Sequence, residues 1–485
     1  MTLNRRTLLR VGGGLMAATV AGTTGIAEAA GPGGPPKLTT RSPLVEQRAD
    51  PFITRPVNGM YYMTASVPEY DRLVVRGAST IDGLASAQER VIWRRPSSGK
   101  LGGHIWAPEL HRIDGRWYLY FAAGDAGDVF HIRTYVMEST AADPRADSWV
   151  LRGQMLTKWD TFTLDSTTFE HRGKRYFAWA QGEPGIATNS NLYLAEMASP
   201  LALKGDPVRL SVPTLPWEVQ GFKVNEGPAV LIRNGRVFMT YSASATDARY
   251  CMGLLTADER SDLLDPRSWT KSPQPVFTTN EQTRQYGPGH NSFTVAEDGK
   301  TDVLVYHARD YRDITGDPLY DPNRHTRVQQ LHWNDDGTPS FGVPVGKGGT
   351  IVRLSPLDAP NLYVRHYDYR LRVDGDVREV ADSQFRIAAG FSGAGSVALQ
   401  SVNFPDRYAR VADSVTVRID QNDQSDSYAR AASFVQVTGL ADNRAVSFRQ
   451  IGDPAAYLAH DNGRFVLARP GSARRDRQRT SFWLS

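Results

Sequence analysis

The sequence predicts an all-β protein in which a five-bladed β-propeller precedes a β-trefoil. Three observations lead to this fold class. Short runs rich in Val, Thr, Tyr, Phe and Trp are separated by Gly and Pro, without long helical periodicity. A hairpin pattern recurs five times in the first 350 residues, and a shorter pattern recurs three times after them. A chain of 485 residues is long enough for two or three domains.

The first 29 residues predict a twin-arginine export signal. Arg5 and Arg6 precede a short, weakly apolar segment, and Ala27-Glu28-Ala29 fits a small-residue cleavage site. The alternative, a frayed N-terminal helix, does not explain why these two features occur together. The segment is too short to span a membrane, and no later apolar stretch approaches spanning length. We therefore expect a secreted, water-soluble protein.

Charge and cysteine content exclude several classes of protein. Removal of residues 1–29 takes away three arginines and one glutamate, which lowers the formal net charge from +4 to +2. No basic run large enough to bind nucleic acid remains. Cys251 is the only cysteine in the sequence, so an intrachain disulfide is excluded. Its strand-like, apolar surroundings indicate an inert core residue.

Residues 39–350 carry the fivefold pattern, in which a strand, a glycine turn and an aromatic-rich strand follow one another. The turn glycines are Gly59, Gly115, Gly173, Gly235 and Gly299, which lie 56, 58, 62 and 64 residues apart. Further strand-like runs lie between the hairpins, so each unit holds about four strands. A repeat of about 60 residues with this content is typical of a propeller blade.

Four titratable residues occupy equivalent places in four of these units. Asp50, Glu226 and His290 stand nine residues before their turn glycine, and Asp165 stands eight residues before its own. The first strand of each blade lines the central channel, so these side chains should converge at one end of it. Buried carboxylates are costly unless they are paired or used. Glycoside hydrolysis uses one protonated and one ionised carboxyl group, and a third can raise the pKa of the acid.

Five short motifs in this region resemble glycoside hydrolase family 43, and they occur in the order of that family. The motifs are RADPF (48–52), HIWAPEL (104–110), TLDST (163–167), VNEGP (224–228) and GPGHNSF (287–293). The resemblance implies a five-bladed propeller that cleaves arabinofuranosides or xylosides with inversion at the anomeric carbon.

The resemblance also implies roles for individual residues. Asp50 is then the general base, Glu226 the general acid, and Asp165 the group that raises the pKa of the acid and orients it. Inversion requires the base and the acid to stand roughly 6.5–9.5 Å apart. His290 resembles a family histidine beside a possible single ion in the channel, with a hydrogen-bonded core histidine as the alternative. No cofactor is required for this chemistry.

Several side chains are candidates for contact with a sugar. Five aromatic side chains can each present a flat face to a sugar ring, or else belong to the core. They are Trp106, Trp159, Trp179, Trp217 and Tyr286. Arg327 resembles a family arginine that reaches the first sugar, with a salt bridge on the outer blade as the alternative. We predict substrate contacts from Phe52, Trp106, Tyr286 and Arg327.

A new repeat follows a predicted linker at 351–360 and predicts a β-trefoil over residues 361–485. Tyr363, Tyr408 and Tyr457 open similar runs in three units. The runs that close the units contain Phe385, Phe434 and Phe482, at spacings of 49 and 48 residues.

These three units resemble carbohydrate-binding module family 42, which holds terminal arabinofuranose in up to three pockets. The family pairs a histidine with an aspartate in each unit. The first unit has both, His366 and Asp382. The third has His460, with Arg479 in place of the aspartate and Asp476 as a substitute, and the second has neither group. A trefoil without sugar pockets is the alternative.

Together the two resemblances imply a secreted, inverting hydrolase that releases L-arabinose from the non-reducing ends of α-1,5-arabinan and arabino-oligosaccharides. We expect a monomer that acts on arabinan, arabinoxylan or these oligosaccharides. The same family also hosts β-xylosidases and endo-arabinanases. The alternative that is not an enzyme is a lectin-like scaffold, which would bind arabinan without cleaving it. A retaining fructosidase, another alternative, would place its two carboxyl groups only about 5–5.5 Å apart.

Overall fold

The computed structural model describes residues 40–484 except 282, 335 and 376, so the predicted export signal lies outside the described residues. This part of the chain consists of β-strands, two six-residue α-helices and five short 3₁₀ helices. The α-helices are α1 (Asp426–Ala431) and α2 (Arg474–Arg479). The 3₁₀ helices are Asp82–Ala85, Pro216–Glu218, Pro266–Ser268, Pro318–Tyr320 and Val380–Ser383. None of the described helices is long and apolar enough to cross a membrane. The all-β prediction is confirmed.

Five antiparallel sheets follow one another along the chain and form the blades of a propeller. Blade one contains β1 (Ala49–Ile53), β2 (Tyr61–Ser66), β3 (Arg72–Ala78) and β4 (Arg90–Arg94). Blade two contains β5 (Ile105–Ile113), β6 (Arg116–Asp125), β7 (Asp128–Ser139) and β8 (Val150–Gln154). Blade three contains β9 (Thr163–His171), β10 (Lys174–Gln181), β11 (Asn191–Ser199) and β12 (Ala202–Ser211). Blade four contains β13 (Asn225–Arg233), β14 (Arg236–Ala243), β15 (Cys251–Asp258) and β16 (Trp269–Lys271). Blade five contains β17 (Tyr286–Val295), β18 (Asp302–Arg309) and β19 (His325–Gln330).

The first strand of each blade lies innermost. Strands β1, β5, β9, β13 and β17 contact one another in this order, and β17 returns to contact β1. The ring of inner strands is therefore closed, and the predicted five-bladed propeller is confirmed. A separate small sheet, β20 (His332–Trp333) with β21 (Pro339–Ser340), follows blade five.

Four of the five predicted hairpin turns adopt the same two-residue geometry. Both turn residues have positive φ in Asn58-Gly59, Asp114-Gly115, Arg172-Gly173 and Asn234-Gly235. This is the backbone of a type I′ turn, whose twist matches that of the flanking strands. Glycine adopts the second of these positions without steric cost, which explains the regular spacing of glycines in the sequence.

Apolar side chains fill the space between neighbouring blades. Trp117 packs between blades one and two, Trp179 between blades two and three, and Tyr306 between blades four and five. All three side chains are fully buried. Trp179 therefore belongs to the core, and it does not present a face to a sugar.

The chain segment before blade one completes blade five. The backbone N–H of Leu44 donates to the carbonyl of Thr326 at 2.8 Å, and the N–H of Thr326 donates to the carbonyl of Val45 at 2.9 Å. Leu44 is 2% exposed and packs in the cluster that joins blade five to blade one. The ring is thus closed by chain segments from its two ends.

The remaining strands form one sheet of thirteen strands. They are β22 (Gly348–Val352), β23 (Leu354–Pro356), β24 (Tyr363–Tyr367), β25 (Arg370–Asp374), β26 (Phe385–Ala389), β27 (Val397–Ser401), β28 (Arg407–Val411), β29 (Val417–Gln421), β30 (Phe434–Thr438), β31 (Val446–Gln450), β32 (Tyr457–Asp461), β33 (Arg464–Ala468) and β34 (Phe482–Leu484). Strand β25 pairs with both β29 and β33, so the hairpins of the three predicted units meet.

One apolar core holds the three units together. The three phenylalanines that close the repeats, Phe385, Phe434 and Phe482, are fully buried in the same cluster. Each repeat therefore contributes an equivalent side chain to a shared core. This is the reason that their spacing is regular in the sequence.

The predicted linker, 351–360, contains strand structure. β22 ends at Val352 and pairs with β26, and β23 pairs with the last strand, β34. The last strand, β34, pairs with β23 at the beginning of the sheet, so residues of the predicted linker belong to this sheet. Buried Arg386 of β26 also donates to the carbonyl of Thr40, which joins this sheet to the start of the described chain.

Replacement of Leu44 by alanine tests the closure of the ring. We expect Leu44→Ala to lower the free energy of unfolding by about 2–5 kcal/mol, because a buried leucine leaves a cavity between blades five and one. Chemical denaturation measures the change. The control is Leu156→Ala, whose side chain is 75% exposed and should change stability by less than about 0.5 kcal/mol. Equal stability of the two variants would contradict a sealing role for this segment.

Candidate active site

Each inner strand changes register with its neighbour at the same end of the channel. These irregularities fall beside residues with positive φ, at Asp50 (51°), Ala107 (44°), Asp165 (54°), Gly227 (57°) and His290 (42°). A bulge turns a side chain away from its regular direction in a strand. Positive φ is uncommon for residues other than glycine and clusters at functional sites.

Asp50 is 8% exposed, and its surroundings favour the ionised carboxylate. Its Oδ2 accepts a hydrogen bond from the Ser66 hydroxyl at 2.6 Å, and its Oδ1 lies 3.3 Å from Arg324 Nη1. Burial raises the pKa of Asp50, but the positive charges of Arg324 and His290 outweigh it and hold the pKa well below its usual value. This carboxylate is therefore available to accept a proton.

Asp165 is buried beside the same group of charges. Its Oδ2 accepts a hydrogen bond from the backbone N–H of Gly227 at 3.1 Å and lies 3.7 Å from His290 Nδ1. Burial raises the pKa of Asp165, and the negative charge of Asp50 adds to this, against the opposing effect of His290. The hydrogen bond to Gly227 fixes Asp165 directly beside residue 226.

Glu226 is the carboxyl group that favours its protonated form. Its Oε1 accepts a hydrogen bond from the Tyr250 hydroxyl at 2.8 Å. Burial raises the pKa of Glu226, and the negative charge of Asp165 raises it further. The pKa values of Asp50 and Glu226 are thus shifted in opposite directions. Such a pair can supply a base and an acid at the same pH.

His290 lies between two carboxylates, which favour its protonated form. Its Nδ1 is 3.3 Å from Asp50 Oδ1 and 3.7 Å from Asp165 Oδ2. Burial lowers the pKa of His290, but these two negative charges raise it, to about 10. A histidine ligates a metal through an unprotonated nitrogen, and the Nδ1 of His290 faces the two carboxylates. The described residues also contain no group of three or more His, Cys, Asp or Glu side chains that could hold a metal ion. The channel ion therefore stays a prediction.

The cluster lies in a pocket of about 460 Å³. Asp50, Asp165, Glu226 and His290 all line it, so the structure brings together the four residues that the sequence predicts to converge. Further lining residues include Trp106, Phe130, Phe162, Leu164, Asn189, Phe222, Tyr250, Leu319 and Arg324. Phe130 and Phe222 are 49% and 57% exposed, whereas Asp50 is 8% exposed. The carboxyl groups therefore lie at the floor of the pocket and the phenylalanines at its mouth.

Three residues predicted to contact substrate do not line this pocket. Phe52 lines a separate cavity of about 300 Å³, because the inner strand carries it further along the axis. Arg327 is fully buried and donates to Asp310 at 2.6 Å, so its charge is already neutralised inside blade five. Tyr286 donates to Glu281 at 2.9 Å near the surface. The pocket arginine is Arg324 instead, and it precedes β19 at the end nearest the carboxyl groups.

The C-terminal sheet brings together the predicted His366 and Asp382. His366 Nε2 lies 2.9 Å from Asn403 Oδ1 and 3.4 Å from Asp382 Oδ1. Asn403 also donates to Asp382 at 2.9 Å, and Arg365 donates to the other carboxylate oxygen at 3.1 Å. These side chains form one connected polar group in the first unit.

The third unit differs from the prediction. His460 Nδ1 lies 3.1 Å from Asp358 Oδ1, and the N–H of Gly463 donates to Nε2 at 3.1 Å. Asp476 faces Gly471 instead. Asp358 stands two residues after β23, as Asn403 stands two residues after β27. The histidine in this unit therefore takes its acidic partner from the beginning of the sheet.

Sequence reasoning missed several residues of these sites. Tyr250 and His307 carry no signal in the sequence, because their contacts depend on strands that are remote along the chain. Arg324 lies three residues from Arg327 in the same run, and only the position of Asp50 distinguishes the two. Asp358 could have been found by continuing the threefold repeat from the end of the chain back to its start.

Comparison with known proteins agrees with this geometry. Residues 40–339 match the model of Glycosyl hydrolases family 43, and residues 352–484 match that of the Alpha-L-arabinofuranosidase B (ABFB) domain. The chain is 51% identical to an extracellular exo-alpha-(1->5)-L-arabinofuranosidase of Streptomyces avermitilis, across 90% of this chain and 91% of that protein. It is 49% identical to alpha-L-arabinofuranosidase 43 of Humicola insolens, across 93% of this chain and 95% of that one.

A solved structure is also similar. The crystal structure of alpha-L-arabinofuranosidase from Lactobacillus brevis is 56% identical and has a TM-score of 0.62. It matches 64% of this chain and 98% of that one.

Replacement of Asp165 by asparagine tests the electrostatic coupling in the pocket. We expect Asp165→Asn to lower the pKa of Glu226, because the amide keeps an acceptor for the Gly227 N–H but removes a negative charge. Carbon-13 NMR titration of labelled glutamate side chains measures this pKa. Asp206→Asn, at an exposed carboxylate paired with Lys158, is the control and should leave it unchanged. An unchanged pKa in Asp165→Asn would show that the two groups are not coupled.

Proposed function

Because the chain belongs to glycosyl hydrolase family 43, we propose that it is a secreted, inverting enzyme that releases L-arabinose from the non-reducing ends of α-1,5-arabinan and arabino-oligosaccharides. The observation that carries this proposal is the meeting of Asp50, Asp165 and Glu226 in one pocket, where their surroundings lower the pKa of Asp50 and raise that of Glu226. An inverting glycosidase needs one ionised and one protonated carboxyl group on opposite sides of the scissile bond.

The proposed mechanism assigns one task to each carboxyl group. Glu226 donates its proton to the glycosidic oxygen as the bond to the anomeric carbon breaks. Asp50 accepts a proton from the water that attacks this carbon from the opposite face, which gives a product of inverted configuration. Asp165 keeps Glu226 protonated until reaction by placing a negative charge beside it. No cofactor takes part in these steps.

The substrate follows from the relatives and from the shape of the pocket. Similar proteins that match nearly the whole chain carry names of arabinofuranosidases, and one is named for exo action on α-1,5 linkages. The pocket volume of about 460 Å³ lies within the range of small-molecule sites, roughly 300–1,000 Å³. Phenylalanines at its mouth and acids at its floor suit entry of a chain end, which supports exo action over endo action.

The C-terminal sheet is proposed to be a β-trefoil that binds terminal arabinofuranose. The shared phenylalanine core and the meeting of three hairpins support the trefoil, and the match to the ABFB domain supports the ligand. We propose one pocket around His366 and Asp382, and a second around His460 and Asp358. The proposed boundaries are 39–350 for the catalytic propeller, 351–360 for the linker and 361–485 for the trefoil, and strand residues of the linker pair with strands of the trefoil.

Export and assembly complete the proposal. A twin-arginine signal at residues 1–29 would deliver the folded enzyme outside the cell, and the word extracellular in the names of relatives supports secretion. The proposed oligomeric state is a monomer. A lectin-like scaffold is disfavoured, because binding alone gives no reason to place an acid of raised pKa beside an ionised carboxylate.

Hydrolysis of linear 1,5-arabinan by wild type and by Glu226→Gln tests the proposed function. We expect the wild type to release only free arabinose, with a configuration opposite to that of the substrate by anomeric NMR. Glu226→Gln should lower the rate by about 10²–10⁴-fold, because it removes general acid catalysis. Glu170→Gln, at an exposed surface ion pair, is the control and should retain full activity.

Other products would change the assignment. Mixed oligosaccharides would indicate an endo-arabinanase, and activity restricted to xylosides would indicate a β-xylosidase. Retention of configuration would contradict the inverting mechanism. Binding without hydrolysis would favour the lectin-like scaffold.

Sugar binding by the C-terminal sheet is tested by three variants. We expect His366→Ala and Asp358→Ala each to weaken retention on insoluble arabinan several-fold, because each removes a member of a proposed pocket. Asp476→Ala should bind like wild type, since its carboxylate faces Gly471. Hydrolysis of a soluble arabinoside should be unchanged in all three variants. Weaker binding by Asp476→Ala alone would restore the prediction made from the sequence.

A further inference from the structure

Tyr250 is the side chain that contacts the proposed acid. It lies directly before β15, is 1% exposed and lines the catalytic pocket. Its hydroxyl donates to Glu226 Oε1 at 2.8 Å. Burial and the neighbouring carboxylates raise its pKa well above the usual value, so the hydroxyl keeps its proton and acts as the donor.

The ring of Tyr250 is fixed by close packing. It stacks on the ring of His307 with 5.7 Å between centroids and 7° between planes. The Tyr250 ring also lies against the inner strand of blade five. A Cβ atom added at Gly289 of this strand would lie 2.5 Å from Cε1 of Tyr250. Absence of a side chain at residue 289 therefore allows this approach. The hydroxyl cannot follow a movement of Glu226 without displacing its neighbours.

His307 connects this ring to the proposed base. Its Nδ1 accepts a hydrogen bond from the backbone N–H of Asp50 at 3.1 Å, so the proton of the neutral ring lies on Nε2. Burial and the charge of Arg324 lower the pKa of His307 well below its usual value, which keeps the ring neutral. One stacked pair of rings thus contacts the carboxyl of Glu226 at one end and the backbone of Asp50 at the other.

We propose that Tyr250 is a positioning residue that places the transferable proton of Glu226 on Oε2 and, through its stack on His307, fixes Glu226 relative to Asp50. This inference rests on the proposed function. A protonated carboxyl has one O–H and one carbonyl-like oxygen. Because Oε1 accepts from the tyrosine, the protonated oxygen is Oε2, and this atom gives its proton to the glycosidic oxygen. The same hydrogen bond then stabilises the carboxylate that remains.

Tyr250 and Asp165 act on Glu226 in opposite directions. The tyrosine hydrogen bond lowers the pKa of Glu226, while the negative charges of Asp165 and Asp50 raise it and the positive charge of His290 lowers it. Loss of the hydroxyl alone should therefore raise the pKa of the acid. A side chain that served only to fill space would not have this effect.

The test is Tyr250→Phe, which keeps the ring and its stack but removes the hydroxyl. We expect kcat on linear 1,5-arabinan to fall roughly tenfold or more, as for the loss of a hydrogen bond to a charged group, while KM changes little. The basic limb of the pH profile of kcat/KM should move to higher pH, because this limb reports the acid of the free enzyme. Carbon-13 NMR titration should show the pKa of Glu226 shifted in the same direction.

Tyr120→Phe is the matched control. Tyr120 is also fully buried, but its hydroxyl donates to the carbonyl of Pro200 at 2.7 Å, away from the pocket. It should keep the wild-type pH profile, and thermal unfolding of both variants separates a loss of stability from a loss of function.

Two results would overturn the role of Tyr250. One is a wild-type kcat in Tyr250→Phe, and the other is a reduced kcat with the basic limb and the pKa of Glu226 unchanged. Both require an active wild type. A wild type that releases no sugar would instead overturn the proposed function, so the two failures are distinguishable.

Discussion

The balance of charge at the floor of the pocket is the constraint on which the rest of the site depends. Three carboxyl groups meet there, and burial of like charges without compensation costs several kcal/mol per ion. Arg324 and His290 supply two positive charges, and both contact Asp50. The compensation is therefore unequal: Asp50 receives most of it, while Glu226 has no cation within contact distance among the described ion pairs. Burial, together with a shared deficit of positive charge, is thus the physical origin of an acid and a base in one pocket.

The fivefold repeat explains how these groups reach the same place. Each inner strand has an irregularity with positive φ at the same end of the channel, and the residue at this position varies among the blades. Blades one and three carry an aspartate there, and blade five carries a histidine. Blade four carries Gly227, which directs Glu226 into the pocket and donates its own N–H to Asp165. The same backbone irregularity thus presents two aspartates, a glutamate and a histidine to one pocket.

Regular features of the structure could be predicted from the sequence, because they depend on local rules. Type I′ turns require glycine or asparagine, so Gly59 and Gly235 mark hairpins, and the equal spacing of the turns places Asp50, Asp165, Glu226 and His290 on equivalent strands. Phe385, Phe434 and Phe482 were identified by the same logic of repetition. Bulges were not predicted, because four of the five positive-φ positions fall on aspartate, alanine and histidine, residue types that adopt positive φ too rarely to mark a bulge in a sequence.

Contacts between remote parts of the chain account for the residues that were misplaced. Arg327 and Arg324 lie on one short run, and the pairing of Arg327 with Asp310 leaves only Arg324 for the pocket. Phe52 lies two residues beyond Asp50, but the inner strand runs along the axis and carries it to a different cavity. Asp358 approaches His460 across 102 residues, and only the threefold repeat, continued from the end of the chain to its start, connects the two in the sequence.

The closure of blade five by the segment at Ser42–Val45 has a consequence for the order in which the chain folds. Ser42 and Arg327 form a hydrogen bond although 285 residues separate them. Contacts of such long range form late in folding, because the chain loses the conformational entropy of a long loop before the contact can stabilise it. Until that moment β19 is an open edge with unpaired backbone groups, which is the kind of surface that templates aggregation. The open edge of β19 is thus the place where a partly folded chain is most prone to aggregate. The segment at Ser42–Val45 removes this risk when it pairs with β19, which happens before the enzyme is able to bind any sugar.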